Sequence, residues 1–225
     1  MNEVKSIFFW VFSPTYKFAE KRKKEIFSKE EDVDVAKNKL TNGIKSYNNY
    51  YFFATIIFSI IANFLFQQSF YGHEYYKWIN YSICLSFGWT IFFSRAVEIF
   101  KAFMDDAVDK LNGGESSSKL SYGDRLKLAL KSYIELMFGF GTLYYILPSH
   151  FFNFANGVGF DNVIQAIYFS GITMTTIGYG DISPAVWLTR CLVIFQVLCG
   201  LTLALVSFTI YSSLALAGNS EKERG

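Results

Sequence analysis

Apolar residues fall into four nearly charge-free stretches along the chain, Tyr47 to Phe66, Trp78 to Ser94, Ser132 to Leu147 and Ala185 to Ala217. The first and last are long enough to cross ~30 Å of hydrocarbon as helices, and the other two reach that length with their flanks. Tyr and Trp gather near their ends (Tyr47, Tyr50, Tyr51, Tyr75, Tyr76, Trp78, Tyr144, Tyr145, Trp187), where amphipathic rings settle at a membrane–water boundary. A shorter apolar run, Asn162 to about Met174, cannot span and is predicted to be re-entrant. Such backbone survives at membrane depth only when it is buried in protein or lines water. The pattern predicts an all-α membrane protein with four transmembrane helices per chain and a re-entrant helix between the third and fourth.

The polar stretches divide the chain into an N-terminal segment (1–43), a peripheral helix pair (44–104), a loop (105–125), a second helical module (126–217) and a short tail (218–225). Val97, Phe100, Met104 and Val108 continue one apolar stripe of the second helix beyond the membrane. Asn112-Gly113-Gly114 then ends that helix. Leu126, Ala129, Leu130 and Tyr133 share a face, as in an amphipathic lead-in to the third helix. Asp161 is the expected N-cap or first-turn carboxylate of the re-entrant helix.

Composition agrees with a membrane protein: 225 residues, 52% hydrophobic and 18% charged. The net charge of +2 says little, but its placement says more. Ten basic residues lie between Lys5 and Lys45 and six between Lys101 and Lys131, whereas Lys77 alone occupies the first connecting loop. The positive-inside rule puts both termini and the middle loop in the cytoplasm. Ile7 to Phe12 is too short for a cleaved signal and is followed by Pro14 and basic residues. With Lys21-Arg22-Lys23-Lys24, the N-terminal segment reads either as an aromatic–basic stretch on the inner leaflet or as a solvated tail. Cys84, Cys191 and Cys199 read as small buried apolar residues without a disulfide framework.

The chemistry lies in Thr175-Thr176-Ile177-Gly178-Tyr179-Gly180-Asp181, between the re-entrant segment and the last helix. Alternate glycines accept left-handed dihedrals without a Cβ penalty, so successive carbonyls can face one way. Four such strands around an axis would stack rings of oxygens that replace the hydration shell of a potassium ion.

These residues resemble the selectivity filter of the potassium channel superfamily, the pore-loop cation channels, and Ser132 to about Ala217 resembles that family's two-helix pore module. The resemblance implies a homotetramer passing K+ passively across the plasma membrane. The ion ligands would be the carbonyls of Thr176, Ile177, Gly178 and Tyr179, with the Thr176 hydroxyl as the innermost ring. Thr175, Gly180 and Asp181 would support the filter, Tyr168 and Phe169 would match the aromatic cuff around it, and Ile177 and Tyr179 would pack behind it. In some relatives a glutamate stands where this chain has Ile172. The carboxylate pair with Asp181 therefore cannot form here, and Tyr168 becomes the donor expected to serve Asp181. Gly200 matches the hinge glycine of the inner helix, and close helix packing is the alternative reading. Leu201, Ala204 or Leu205, Phe208 and Ser212 are expected on the cavity face, with Phe208 as a candidate constriction.

Other residues read more plainly. Arg95 and Glu98 are placed to pair, and one arginine is not a voltage-sensing series. Asp105, Asp106 and Asp109 read as a solvated face, His73 and His150 as loop histidines, and the sequon at Asn80 lies too close to a helix for use. No nucleophile–base set, metal cluster or nucleotide motif points to an enzyme, a cofactor or a nucleic-acid partner. K+, membrane lipid and further copies of the chain are the implied partners. A potassium-uptake transporter subunit and a non-conducting sensor or regulatory subunit are the alternatives, and the gating stimulus is not legible.

Overall fold

The computed structural model describes residues 13–69, 82, 85, 86, 88–112, 117–155 and 157–207. Its first helix, α1 (Pro14–Lys29), opens with a proline whose fixed φ suits a first turn. After Glu30 the chain enters α2 (Val33–Ser69), 37 residues and about 55 Å long at the helical rise. A π-helical stretch, Trp89–Phe93, leads into α3 (Ser94–Leu111). Helix α4 (Tyr122–Ile146) begins where the Ser121 side chain accepts a hydrogen bond from the Asp124 amide at 3.1 Å. Beyond it come β1 (Phe152–Phe154), α5 (Val163–Met174), β2 (Ile182–Pro184) and α6 (Trp187–Leu201), which widens into a π-helical turn, Thr202–Ser207.

Among the described residues, Val33–Leu65 and Trp187–Leu205 are the two helices long and apolar enough to cross a membrane. Part of the expected second span, Trp78 to Ser94, lies outside the described residues, which cover 82, 85, 86 and 88–94 of it. The third, in α4, is diluted by Arg125, Lys127, Lys131 and Glu135 in its first half. Helix α4 packs between α2 and α5, with α3 and the end of α6 also against it. Its Leu136, Phe140, Leu143 and Tyr144 meet Phe169, Ile172, Leu192 and Cys199 in the main core. Tyr144, Phe152, Phe160 and Phe169 stack there, mostly edge to face, an arrangement that suits ring quadrupoles.

The structure departs from the sequence expectations in several places. The divisions drawn at 43/44, 104/105 and 125/126 fall inside α2, α3 and α4. Hydrophobicity locates the part of a helix that meets lipid, whereas the helix itself ends at its caps. Residues 14–29 are neither a tail nor a free strip: Ser13 Oγ donates to the Ser94 carbonyl at 2.9 Å, and the Thr15 amide donates to Ser94 Oγ at 3.2 Å. On α3 the buried positions include Ala96, Ile99 and Ala107, while Val108 is exposed. The alanines let neighbouring helices approach more closely than Val97 or Met104 would. Leu130 faces outward, and Arg125 is buried instead, donating to the Leu120 carbonyl at 3.2 Å and pairing with Asp106. Two short antiparallel strands interrupt the all-α pattern, pairing Phe152 with Pro184 and Phe154 with Ile182. Three-residue strands carry too little alternation to be read from sequence.

Candidate functional site

The site is built on α5, whose N-terminal end is held by bonds from three residues. Asn162, not Asp161, is the cap, and its side chain accepts from the Gln165 amide at 3.0 Å. Asp161 stands one residue earlier, its amide donating to Gln165 Oε1 at 2.8 Å. From α2, Asn63 Oδ1 accepts from the Val163 amide at 3.0 Å. These bonds replace partners that the first turn of any helix lacks. Along its length α5 lies almost on the backbone of α4: a Cβ on Gly141 would sit 2.6 Å from Ile167 Cα.

At its C-terminal end the chain reverses without leaving the helix. The amides of Ile177 and Gly178 both donate to the Ile172 carbonyl, at 2.9 and 3.2 Å, and the Thr176 amide donates to Thr173 O at 3.1 Å. Thr175 Oγ1 donates to the Gly171 carbonyl at 2.8 Å. From there φ is positive at every second residue: 58° at Thr176, 54° at Gly178 and 83° at Gly180. This alternation is the condition for carbonyls that face one side. Thr176 adopts it despite its Cβ, a strain of about 1–2 kcal/mol that only a surrounding structure can maintain. The glycine pattern carried no warning of it.

The outer end is tied down by the small sheet. The Ala155 amide donates to the Asp181 carbonyl at 2.8 Å, and the Ala185 amide to Phe151 O at 2.9 Å. The Tyr168 hydroxyl interacts with the Asp181 side chain. Asp181 Oδ1 is buried and has no hydrogen-bond partner among the described residues.

Behind this loop runs a polar network that the sequence reading missed. Tyr144 on α4 donates its hydroxyl to Gln196 Oε1 on α6 at 2.6 Å. Gln196 Nε2 donates to the Ser170 carbonyl at 3.0 Å and lies 2.6 Å from Ser170 Oγ, which itself donates to Met137 O at 2.7 Å. The side chains of Tyr144, Gln196 and Ser170 are fully buried. The signal was available: a glutamine in an otherwise apolar membrane helix needs a partner, because an unpaired amide there is costly.

The remaining predicted residues are dispersed. Phe169 is buried in the chain's own aromatic cluster, whereas Tyr168 is exposed. Ile177 and Tyr179 are 54% and 69% exposed, uncovered by the described residues of their own chain. Gly200 lies where a Cβ would come within 3.4 Å of the Met174 carbonyl, one residue before α6 ends and shortly before its π-helical turn. The glycine thus combines close packing with a change of helical register. Leu201 and Leu205 are exposed, in line with Trp187, Ile194 and Leu198 on one face of α6. Cys191 is exposed, contrary to the expected burial, whereas Cys199 is buried. Phe208, Ser212, Cys84 and His73 lie outside the described residues.

A family model described as an ion channel matches residues 132–216, which span α4, α5, the loop and α6. No curated protein and no solved structure matches the chain. The matched segment coincides with the module that carries the reversed loop and its supports. Residues 132–216 of the chain are thus similar to the ion-channel domain that this family model describes.

Proposed function

We propose that four copies of this chain form a K+-selective channel, each contributing one strand to a shared filter. The observation that carries this reading is the alternation of left-handed dihedrals at Thr176, Gly178 and Gly180 on a strand uncovered by its own protomer. In the tetramer, the carbonyls of Thr176, Ile177, Gly178 and Tyr179 and the Thr176 hydroxyl take the place of water around a dehydrated K+. No bond is made or broken. Ions pass because each site binds well enough to admit them and weakly enough to release them.

Neighbouring copies cover Ile177, Tyr179 and the exposed face of α6, and closed fourfold symmetry leaves no strand unmatched. Helices α2 and α3 lie on the periphery, with four transmembrane helices per chain, both termini cytoplasmic and the filter mouth outside the plasma membrane. The Leu201–Leu205 end of α6 lines the inner cavity, and Gly200 is where the inner helix changes direction. Membrane lipid meets the outer face of α2, where Phe53, Ile57, Ile60, Ile61 and Phe64 are exposed.

The test is flux through the purified chain in liposomes under opposed K+ and Na+ gradients. The reversal potential is expected to follow K+, and equal passage of the two ions would overturn the reading. Native mass spectrometry in mild detergent is expected to give four chains.

A further inference from the structure

A second cluster of charge lies away from the filter, between α2, α3 and α4. Arg95 Nη1 pairs with Glu98 Oε1 at 2.7 Å, and Arg95 Nε donates to Glu135 Oε1 at 2.9 Å. The Tyr51 ring covers the guanidinium, its centroid 4.5 Å from Cζ. The three charged side chains are only 10%, 11% and 2% exposed. One cation faces two carboxylates, so the cluster sums to −1 if both are ionised. The second oxygens, Glu98 Oε2 and Glu135 Oε2, are buried without a hydrogen-bond partner among the described residues. Glu135 and Arg95, but not Glu98, line a cavity of about 10 Å³, room for one water, together with Thr55, Phe92 and Phe140.

Among the described residues, Arg95 alone is ion-paired with the two carboxylates. On α4, Lys131 is nearest, but its ammonium is bonded to Asn49 and lies over the rings of Phe52 and Phe53. On α2, Tyr51 faces the cluster, with Tyr47 and Tyr50 beyond it, and none of the three supplies a cation. On α3, Arg95 and Glu98 are themselves the cluster. A buried, uncompensated negative charge is far more costly than a protonated acid that still hydrogen-bonds.

We propose that Arg95, Glu98 and Glu135 form a proton-binding site that holds one proton on its two carboxylates at neutral pH, and that its loss weakens the α3–α4 junction. The proton forms an O–H bond at Glu135 Oε2, converting a buried, unpartnered carboxylate oxygen to a hydroxyl and leaving the cluster neutral. Neither the filter nor K+ conduction enters this inference, so it stands or falls separately from the channel reading.

The experiment uses the full chain in detergent. Infrared difference spectra of the wild type are expected to contain the carbonyl stretch of a protonated carboxylic acid at neutral pH. Glu135→Gln and Glu98→Gln each leave one cation facing one carboxylate, a neutral cluster, so either substitution should remove the band. Thermal unfolding of the wild type should weaken as pH moves from mildly acidic to mildly alkaline, and Glu135→Gln should flatten that dependence. Absence of the band in the wild type, which requires no variant to fold, would overturn the proposal. So would its persistence in both variants, or an unchanged pH slope in Glu135→Gln.

Discussion

Gln196 on the inner helix is bonded to Ser170 on the pore helix through its Nε2, which lies 3.0 Å from the Ser170 carbonyl and 2.6 Å from its hydroxyl. The inner helix and the element that presents the filter are therefore joined by side-chain hydrogen bonds as well as by apolar contact. Gln196→Leu keeps the bulk but strands the Tyr144 hydroxyl, leaving a buried group to cost about 1–3 kcal/mol. Lower thermal stability is expected, together with impaired K+ over Na+ discrimination. Gln196→Glu retains an acceptor for Tyr144 but sets a buried carboxylate oxygen against the Ser170 carbonyl, so it should lose at least as much stability as the leucine. A leucine variant with normal stability and selectivity would reduce the network to a bystander.

Gly178→Ala places a Cβ at a φ of 54°, where nothing nearby obstructs it. The penalty is therefore backbone strain, about 1–2 kcal/mol. Reversal potentials should move away from K+ while the tetramer still forms, since the strain acts on dihedrals and not on the α6 face. Loss of assembly without loss of selectivity would contradict this.

Asn63 reaches across from α2 to accept the Val163 amide at 3.0 Å. Asn63→Ala removes that acceptor and should lower stability by about 1 kcal/mol. Asn162→Ala removes the cap within the helix itself, a loss of about 0.5–2 kcal/mol. Thermal unfolding of both singles and the double variant would show whether the two caps act independently.

The α6 face bearing Ile194 (61% exposed) and Leu198 (51% exposed) is bare in the lone protomer. Ile194→Asp is expected to shift native mass spectra from tetramer toward monomer, because a carboxylate cannot be buried unpaired between subunits. A fully tetrameric variant would mean that this face meets lipid or the aqueous cavity.

At the N-terminal end of α4, hydrogen bonds from Lys45 and then Ser121 hold the Asp124 carboxyl below its usual value. Lys119 does the same for Asp34. A depressed folded value contributes stability that is present above the unfolded carboxylate value, about 3.9, and is lost as pH falls through the folded one. The effect of exposed pairs is small, so it should appear as a shallow acid-side decline in unfolding temperature. Lys45→Met should reduce that decline. This acid-side loss runs opposite to the alkaline-side loss expected of the buried cluster.

Much of the pore module was legible because its signals are local. Gly178, Gly180 and the apolar run before them specify a turn-back and a short helix within twenty residues of sequence. Tyr168 was readable as the donor nearest Asp181 because both lie within the stretch that the family resemblance covers. What escaped was set by partners distant in sequence: Asn63 capping α5, Gln196 meeting Ser170, and Glu135 joining the Arg95–Glu98 pair that spacing alone had suggested. The left-handed Thr176 was hidden for another reason. A strained residue carries no compositional mark, because its neighbours impose the strain.

The uncovered filter strand also affects the life of the protein before it reaches its final form. A newly inserted chain holds Ile177 and Tyr179 outward, uncovered by the residues around them. To cellular quality control, such apolar exposure is the mark of a misfolded protein, and marginal chains are continually sorted between rescue and degradation. On the proposed fourfold assembly, surplus subunits would be self-limiting, since only those that find partners would hide the mark. Abundance at the membrane should follow the concentration at which chains meet, making synthesis rate a steep control on the number of working pores.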